Sequence, residues 1–338
     1  MSNASDIVSI AARNLVRNSR RTLMTGSMVA LGVVAIVFFR AYIAGLQDQM
    51  FEMVVENQSG ALQVERQGYS KSRELAPLDL DLPQGEGLEE KVRQGPGVKQ
   101  VAPRLRFGAV LVFGEASTVV HGLGVEPELE KQVCPQSPQA GHRYEGKYGE
   151  RYGLEGPGLA EQGEASILLG SSLASGLGIR IGDQVTLLAQ TSTSSTDAVD
   201  ATVRGIFKVG DAEVNKRSVV VPLGLAQRLL HMPGRMTSLA VAVSRPQIEQ
   251  AAVALRGALA SAQPSVDVWT WGQMAPYYRD VIQLQDDIMG IVTALLFVIL
   301  LSGVANTMMM SVFERQREIG TLMAIGFRRR SIAWLFVI

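Results

Sequence analysis

Cysteine is almost absent: the 338 residues hold one, Cys134. No intrachain disulfide framework can exist, and a lone thiol outlines no metal site. Cys134 therefore reads as a small loop or packing residue. The histidines His121, His142 and His231 keep no metal-ligand spacing, and no H-E-x-x-H occurs. There is no G-x-x-x-x-G-K-[ST], so the chain carries no ATP-binding loop of its own. The glycines of GLGIRIG (176–182) are spaced one residue too widely for a dinucleotide fingerprint and read as a turn. G-x-S-x-G is also missing, and no serine is marked as a nucleophile. Asn57-Gln58-Ser59 matches a glycosylation acceptor, a pattern short enough to arise by chance. No cofactor bound by the chain itself and no nucleic-acid partner are expected.

Charge is balanced overall but missing from two long stretches. No residue from Ile288 to Phe313 is charged, a run longer than the roughly 20 residues a helix needs to cross a hydrocarbon core. Only a helix satisfies its own backbone over such a length in lipid, which places a spanning helix at about Ile288–Ser311. A second run lies between Arg21 and Arg40, and its apolar character continues to Leu46. It gives a span at about Leu23–Leu46. A secretory signal is the rival, but the charged lead is long, the apolar run exceeds roughly 15 residues, and no A-x-A site follows. Arg40, in the outer part of this span, is expected to snorkel to the interface. Ahead of the span, Ser5–Asn18 carries Ile7, Ala11 and Leu15 at helical spacing, as in a helix lying on a membrane surface.

The flanks orient the spans. Arg13, Arg17, Arg20 and Arg21 precede the first, while Arg315, Arg317, Arg328, Arg329 and Arg330 follow the second. The opposite flanks carry Asp48, Glu52 and Glu56, then Asp280, Asp286 and Asp287. Positive-inside puts both ends in the cytoplasm and 47–286 outside it. The expected order is a cytoplasmic amphipathic segment (1–22), a span (23–46), an outer domain (47–286), a span (287–311), a cytoplasmic segment (312–330) and the start of a third span (331–338).

Within 47–286, helical character continues over Gln47–Asn57 as a stalk. Period-two alternation predicts strands near 60–67, 98–104, 106–112, 118–125, 166–169, 184–190, 199–209, 218–221, 238–243 and 266–269. Helices are expected at 88–94, 171–177, 222–231 and 246–259, with a helical return to the membrane over 271–287. A polar loop is expected to about Gly87, a hairpin tip at 191–197, and a boundary or mobile insert over 130–163. No regular βαβ repeat is visible. The expectation is an α+β domain in two lobes, the second at about 130–235.

The segment after the second span has an internal order that positive-inside alone does not require. FERQREIGTLMAIGFRRRSI sets Ile319, Leu322, Met323 and Phe327 at helical spacing, with Gly320 and Gly326 as breaks. Such an amphipathic element, carried on a spanning helix, suits a groove on a cytoplasmic partner. NTMMMSVFERQREIGTLMAIGFRRRSI (306–332) resembles the signature of FtsX/MacB-type permeases of bacterial ABC transporters. ILLGSSLASGLGIRIGDQVTLL (167–188) and SVVVPLGLAQRLL (218–230) resemble that family's periplasmic core domain, and ARNLVRNSRRTLMTGSMVALGVVAIVF (12–38) its first span.

The resemblance implies a bacterial inner-membrane permease subunit without catalysis of its own. A separate cytoplasmic ATPase dimer would use ATP and magnesium, and a second permease copy or homologue would complete the membrane part. Glu314, Arg315, Arg317 and Glu318 would make polar contacts with the ATPase around Gly320, and Ile319, Leu322 and Met323 would fill its groove. Family permeases have four spans, so the sequence is expected to be a fragment or a short form. GALQVERQGY (60–69) resembles the lipoprotein-releasing branch. Efflux of a drug or peptide, regulation of a periplasmic cell-wall hydrolase, and an anchored sensor with no ATPase are the alternatives.

Overall fold

The computed structural model describes residues 19–143, 152–159 and 165–326. The surface helix expected over 5–18, Phe327 and the third-span start at 331–338 lie outside these. The chain divides into two compact units, one of residues up to Gln47 together with those from Asp280 on, the other Asp48–Arg279.

The first unit is built on two long helices, α1 (Ser19–Phe51) and α9 (Pro276–Glu314). Both are long and apolar enough to cross a membrane, and their most apolar windows are 0% and 6% buried. A core helix of a soluble protein would hide that surface; here Leu31 is 69% and Val298 58% exposed. Where the two helices meet, small residues admit larger ones. A Cβ on Gly32 would come within 2.7 Å of Leu300, and one on Gly303 would collide with Met28. Close backbone approach over small residues is how helices associate where no hydrophobic effect drives them together. Thr25 and Thr307 hydroxyls lie 3.5 Å apart, and Gln47 donates to Asp286 at 3.0 Å, so the pairing is antiparallel. Arg40 is exposed on α1.

Early in the second unit α1 widens into a π-helical turn, Glu52–Ser59, in place of the uniform helix expected over 47–57. Gly60 at φ +73° ends it, its N–H donating to Val55 O at 3.0 Å. Then follow β1 (Leu62–Arg66), β2 (Leu82–Pro83), α2 (Glu86–Arg93), β3 (Val98–Phe113), β4 (Ala116–Val125), α3 (Pro127–Val133), β5 (Gly153–Glu155), β6 (Ser166–Gly170) and α4 (Ser171–Leu177). After these come β7 (Gln184–Gln190), β8 (Thr196–Lys208), α5 (Ala212–Arg217), β9 (Ser218–Pro222), α6 (Leu223–Leu229), β10 (Arg235–Met236), β11 (Ser238–Val243) and α7 (Ile248–Ala258). β12 (Val266–Thr270) and α8 (Trp271–Met274) lead to α9. Thr270 and Gln273 form a capping box over α8, and the expected helical return breaks at Ala275 before Pro276 restarts it. The mixture is α+β, as the sequence pattern indicated.

β3 is the spine of the sheet. Its first half, Val98–Arg104, pairs antiparallel with β11; beyond that point the same edge passes to β7 at Ala109–Val112. The other edge pairs with β4 from Arg104 to Phe113. From β4 the ladder continues to β9 in parallel, to β6 antiparallel, to β8 in parallel, to β7 antiparallel and back to β3. Six strands thus close on themselves, which removes their open edges. Leu105, Phe107, Leu111, Ile167, Leu169, Val185, Leu187 and Val219 fill one cluster from this ring. The rest of the sheet, β12-β1-β11, packs a second cluster against α2 and α7, with Val64, Leu239, Val241, Ala251 and Leu255 buried.

Four expectations change. The two strands expected at 98–104 and 106–112 are one strand, because the handover at Arg104–Arg106 is a change of partner and not of direction. The loop expected up to Gly87 contains a 3₁₀ turn, Tyr69–Leu75, with Tyr69 fully buried, and the short β2. The stretch 130–163, expected as a boundary or mobile insert, is ordered where described. Glu130 and Val133 of α3 are buried, and β5 pairs with β8. The cluster within the ring draws on residues from Leu105 to Met232, starting upstream of the expected second lobe.

The close packing of β3 on β4 explains one glycine. Phe107 faces Gly122 in register, and a Cβ there would enter the aromatic ring.

Candidate functional site

The segment expected to contact an ATPase sits at the end of α9. Glu314 is the last residue of that helix, and Arg315, at φ −104° and ψ 17°, turns the chain into α10 (Gln316–Ala324). The break falls at Arg315. Gly320, expected to interrupt the helix, lies inside α10, since one glycine costs a helix interior only about 1 kcal/mol. Gly326, at φ +95°, follows the helix end in the left-handed conformation that favours glycine.

Local bonding ties the corner together. Ile319 N–H donates to Arg315 O at 3.0 Å, and the Thr321 hydroxyl donates back to Arg317 O at 2.9 Å. Arg315, Ile319 and Met323 recur at four-residue spacing and so share one face. Arg315 and Ile319 are half-buried, whereas Met323 is 45% exposed. Glu314, Arg317, Glu318 and Gly320 are exposed. The helix thus presents apolar and charged side chains to its surroundings over two and a half turns. All eight residues singled out in the sequence fall on this corner and helix, with the side chain of Leu322 outside the described residues. Nothing in the arrangement resembles a catalytic constellation, and among the described residues no group of His, Cys, Asp or Glu could hold a metal ion.

A second polar centre, in the unit Asp48–Arg279, carries no signal in the sequence. Arg104, fully buried on β3, donates from Nε to Glu130 of α3 at 3.0 Å and pairs with its other carboxylate oxygen through a terminal nitrogen. Its guanidinium also reaches Gln58 O at 2.8 Å and Cys134 Sγ at 3.1 Å. Burial alone would lower the Arg104 pKa, but Glu130 and Cys134 beside it together raise it. The cluster fastens the π-helical turn to the sheet, because Cys134 Sγ in turn faces Val55 O at 3.5 Å. No sequence signal marks it: an arginine flanked by alternating apolar residues reads as a strand end.

The sequence matches the MacB-like periplasmic core domain over residues 22–258 and the FtsX-like permease C-terminal region over residues 290–338. It is 24% identical over 260 residues to the lipoprotein-releasing system transmembrane protein LolE of Haemophilus influenzae, covering 75% of this chain and 58% of that protein. Against the lipoprotein-releasing system transmembrane protein LolC of Neisseria meningitidis it is 21% identical over 324 residues, covering 94% of this chain and 72% of that one. This chain therefore spans less than two thirds of the Haemophilus protein's length. The crystal structure of the periplasmic region of MacB from Actinobacillus actinomycetemcomitans overlaps at a TM-score of 0.44 and 13% identity, over 68% of this chain and 98% of that one. With the family match running through both the first long helix and the outer unit, this chain belongs to the MacB-like, FtsX-type family of ABC transporter permeases.

Proposed function

We propose that this chain is the subunit through which a separate cytoplasmic ATPase dimer, using ATP and magnesium, changes the shape of a periplasmic domain. The observation that carries it is the corner at Arg315, where an unburied apolar helix turns into the short amphipathic α10. Such an element suits a groove on a soluble partner. Glu314, Arg317 and Glu318 supply charge at its rim, and Ile319, Leu322 and Met323 supply the apolar contact. Positive-inside orientation favours α10 in the cytoplasm and residues 47–286 on the periplasmic side of the bacterial inner membrane. Helix α9 runs without a break from Pro276 to Glu314, so displacement at the corner acts on one continuous helix. A second permease copy or homologue completes the membrane part.

For the cargo, the relatives named as lipoprotein-releasing proteins favour lipoprotein release. The match to a MacB-like core domain supports efflux of a drug or peptide as the second reading. The test is ATP hydrolysis by the complete permease reconstituted in liposomes with the ATPase that co-purifies with it. Stimulation by an added acylated lipoprotein, and not by its unacylated form or by drugs, is expected. Stimulation by drugs or peptides alone would move the assignment to efflux. Stimulation by neither, with a cell-wall hydrolase bound to the outer unit, would make the chain a regulator.

A further inference from the structure

The outer unit contains a cleft of about 1070 Å³ whose lining includes Lys71, Arg73, Arg106, Phe107, Leu123 and Val214. Arg106 lies two residues beyond Arg104 on β3, so both side chains leave the same face of the strand. Its two cationic neighbours are neutralised. Arg104 pairs with Glu130, and Arg73 donates twice to the buried Glu65 at 2.9 Å. At the cleft wall Arg217 is matched by Glu213 at 2.8 Å. Arg106 differs in having no carboxylate within ion-pair distance among the described residues, and its Nε, like that of Arg73, is sealed from solvent and bonds to nothing. Burial first, then the nearby Arg104, pull its pKa down, but a guanidinium does not shed its proton in a protein. Half-buried at the cleft, this guanidinium keeps its charge with no anion beside it. Lys71, exposed at the rim, adds a second positive charge with no ion-pair partner among the described residues.

We propose that this cleft is a binding site for an oxyanion of the phosphate type, held by Arg106 and guided in by Lys71. A guanidinium fork recognises such a group through paired N–H donors. The cleft is far larger than a phosphate ion, and Phe107, Leu123 and Val214 line it beside Leu75, which is 81% exposed. An amphiphile bearing the phosphate fits charge and lining together. The site is independent of the ATPase contact and of the cargo assignment above, since it uses residues of the outer unit alone.

The experiment is calorimetric titration of the full chain in uncharged detergent micelles with three probes: inorganic phosphate, dihexanoylphosphatidic acid and dihexanoylglycerol. Saturable binding of dihexanoylphosphatidic acid, with none of dihexanoylglycerol, is expected. Arg106→Gln is expected to weaken it at least about tenfold, the loss of one charge-assisted contact. The unfolding midpoint of that variant should not fall, because it removes a half-buried charge that has no carboxylate partner among the described residues. Lys71→Gln, at an exposed position, should weaken binding severalfold and serves if Arg106→Gln fails to fold. Tighter binding of the lipid acid than of phosphate identifies an amphiphile; equal binding of both, lost together in the variants, identifies free phosphate. Unchanged affinity in both variants, or no saturable binding of either anion, overturns the proposal.

Discussion

Arg104 and Glu130 form a two-pronged ion pair with both side chains withdrawn from solvent, the Nε to Oε2 distance being 3.0 Å. The pair joins β3 to α3, and through Gln58 O it also holds the turn that ends α1. Deleting one partner strands the other charge, at a cost of about 3–5 kcal/mol. Glu130→Ala is therefore expected to lower the thermal midpoint of the outer unit by on the order of 10 °C. Arg104→Met with Glu130→Leu removes both charges together and should recover part of that loss. Circular dichroism of the purified chain in detergent reads both; an unchanged midpoint in Glu130→Ala would mean the pair contributes nothing net.

Cys134 belongs to the same cluster. Burial pushes its thiol up to about 12, against about 8.5 in an unfolded chain. Between those values the folded state keeps a proton that the unfolded state has lost, so this group's contribution to stability declines as pH rises through the window. At pH 9 a maleimide should leave the folded chain unlabelled and label it rapidly once denatured. Rapid labelling of the folded chain would contradict the burial. In wild type minus Cys134→Ala, the stability difference should grow less favourable with rising pH above about 8.5.

Asn215 closes the β8–α5 connection by an amide pairing, donating to Val209 O at 2.8 Å and accepting from Val209 N–H at 2.8 Å. Asn215→Ala leaves both backbone groups buried without partners, a loss of about 1–3 kcal/mol for each. Asn215→Asp keeps the acceptor and should fall between alanine and wild type. Denaturant midpoints of the three proteins give the order.

Much of this fold was legible because alternation survives in the ring strands: Gln184–Gln190 shows Val185, Leu187 and Ala189 buried between solvent-side neighbours. The turn residues Gly178 and Gly182, both at positive φ, announced the connection from α4 to β7. What alternation does not carry is partner choice. Nothing local in Ser218–Pro222 says that it lies parallel to β4, or that β7 bridges β3 and β8 to close the ring. Arg104 and Glu130 were illegible for a related reason: each looks like a surface charge until the fold brings them together across 26 residues. The eight residues expected to meet an ATPase fall on one corner and helix; of the two glycine breaks read from the sequence, Gly326 does follow the helix end, whereas Gly320 lies inside it and the backbone turns at Arg315.

The helix pair offers a direct check of packing. With Cys134→Ala as background, Thr25→Cys and Thr307→Cys replace hydroxyls 3.5 Å apart and should cross-link on mild oxidation. Gly303→Ile, which would push against Met28, should sharply reduce the yield. Equal cross-linking with and without that substitution would contradict the pairing of α1 with α9.

The central claim is that the Arg315 corner and α10 dock an ATPase. The most direct measurement is co-purification of the permease from bacterial membranes, comparing wild type with Glu314→Lys/Arg317→Glu. The account predicts a cytoplasmic ATPase with wild type and its loss in the charge-reversed variant, at equal permease expression. An ATPase retained equally by both, or recovered with neither, would contradict it.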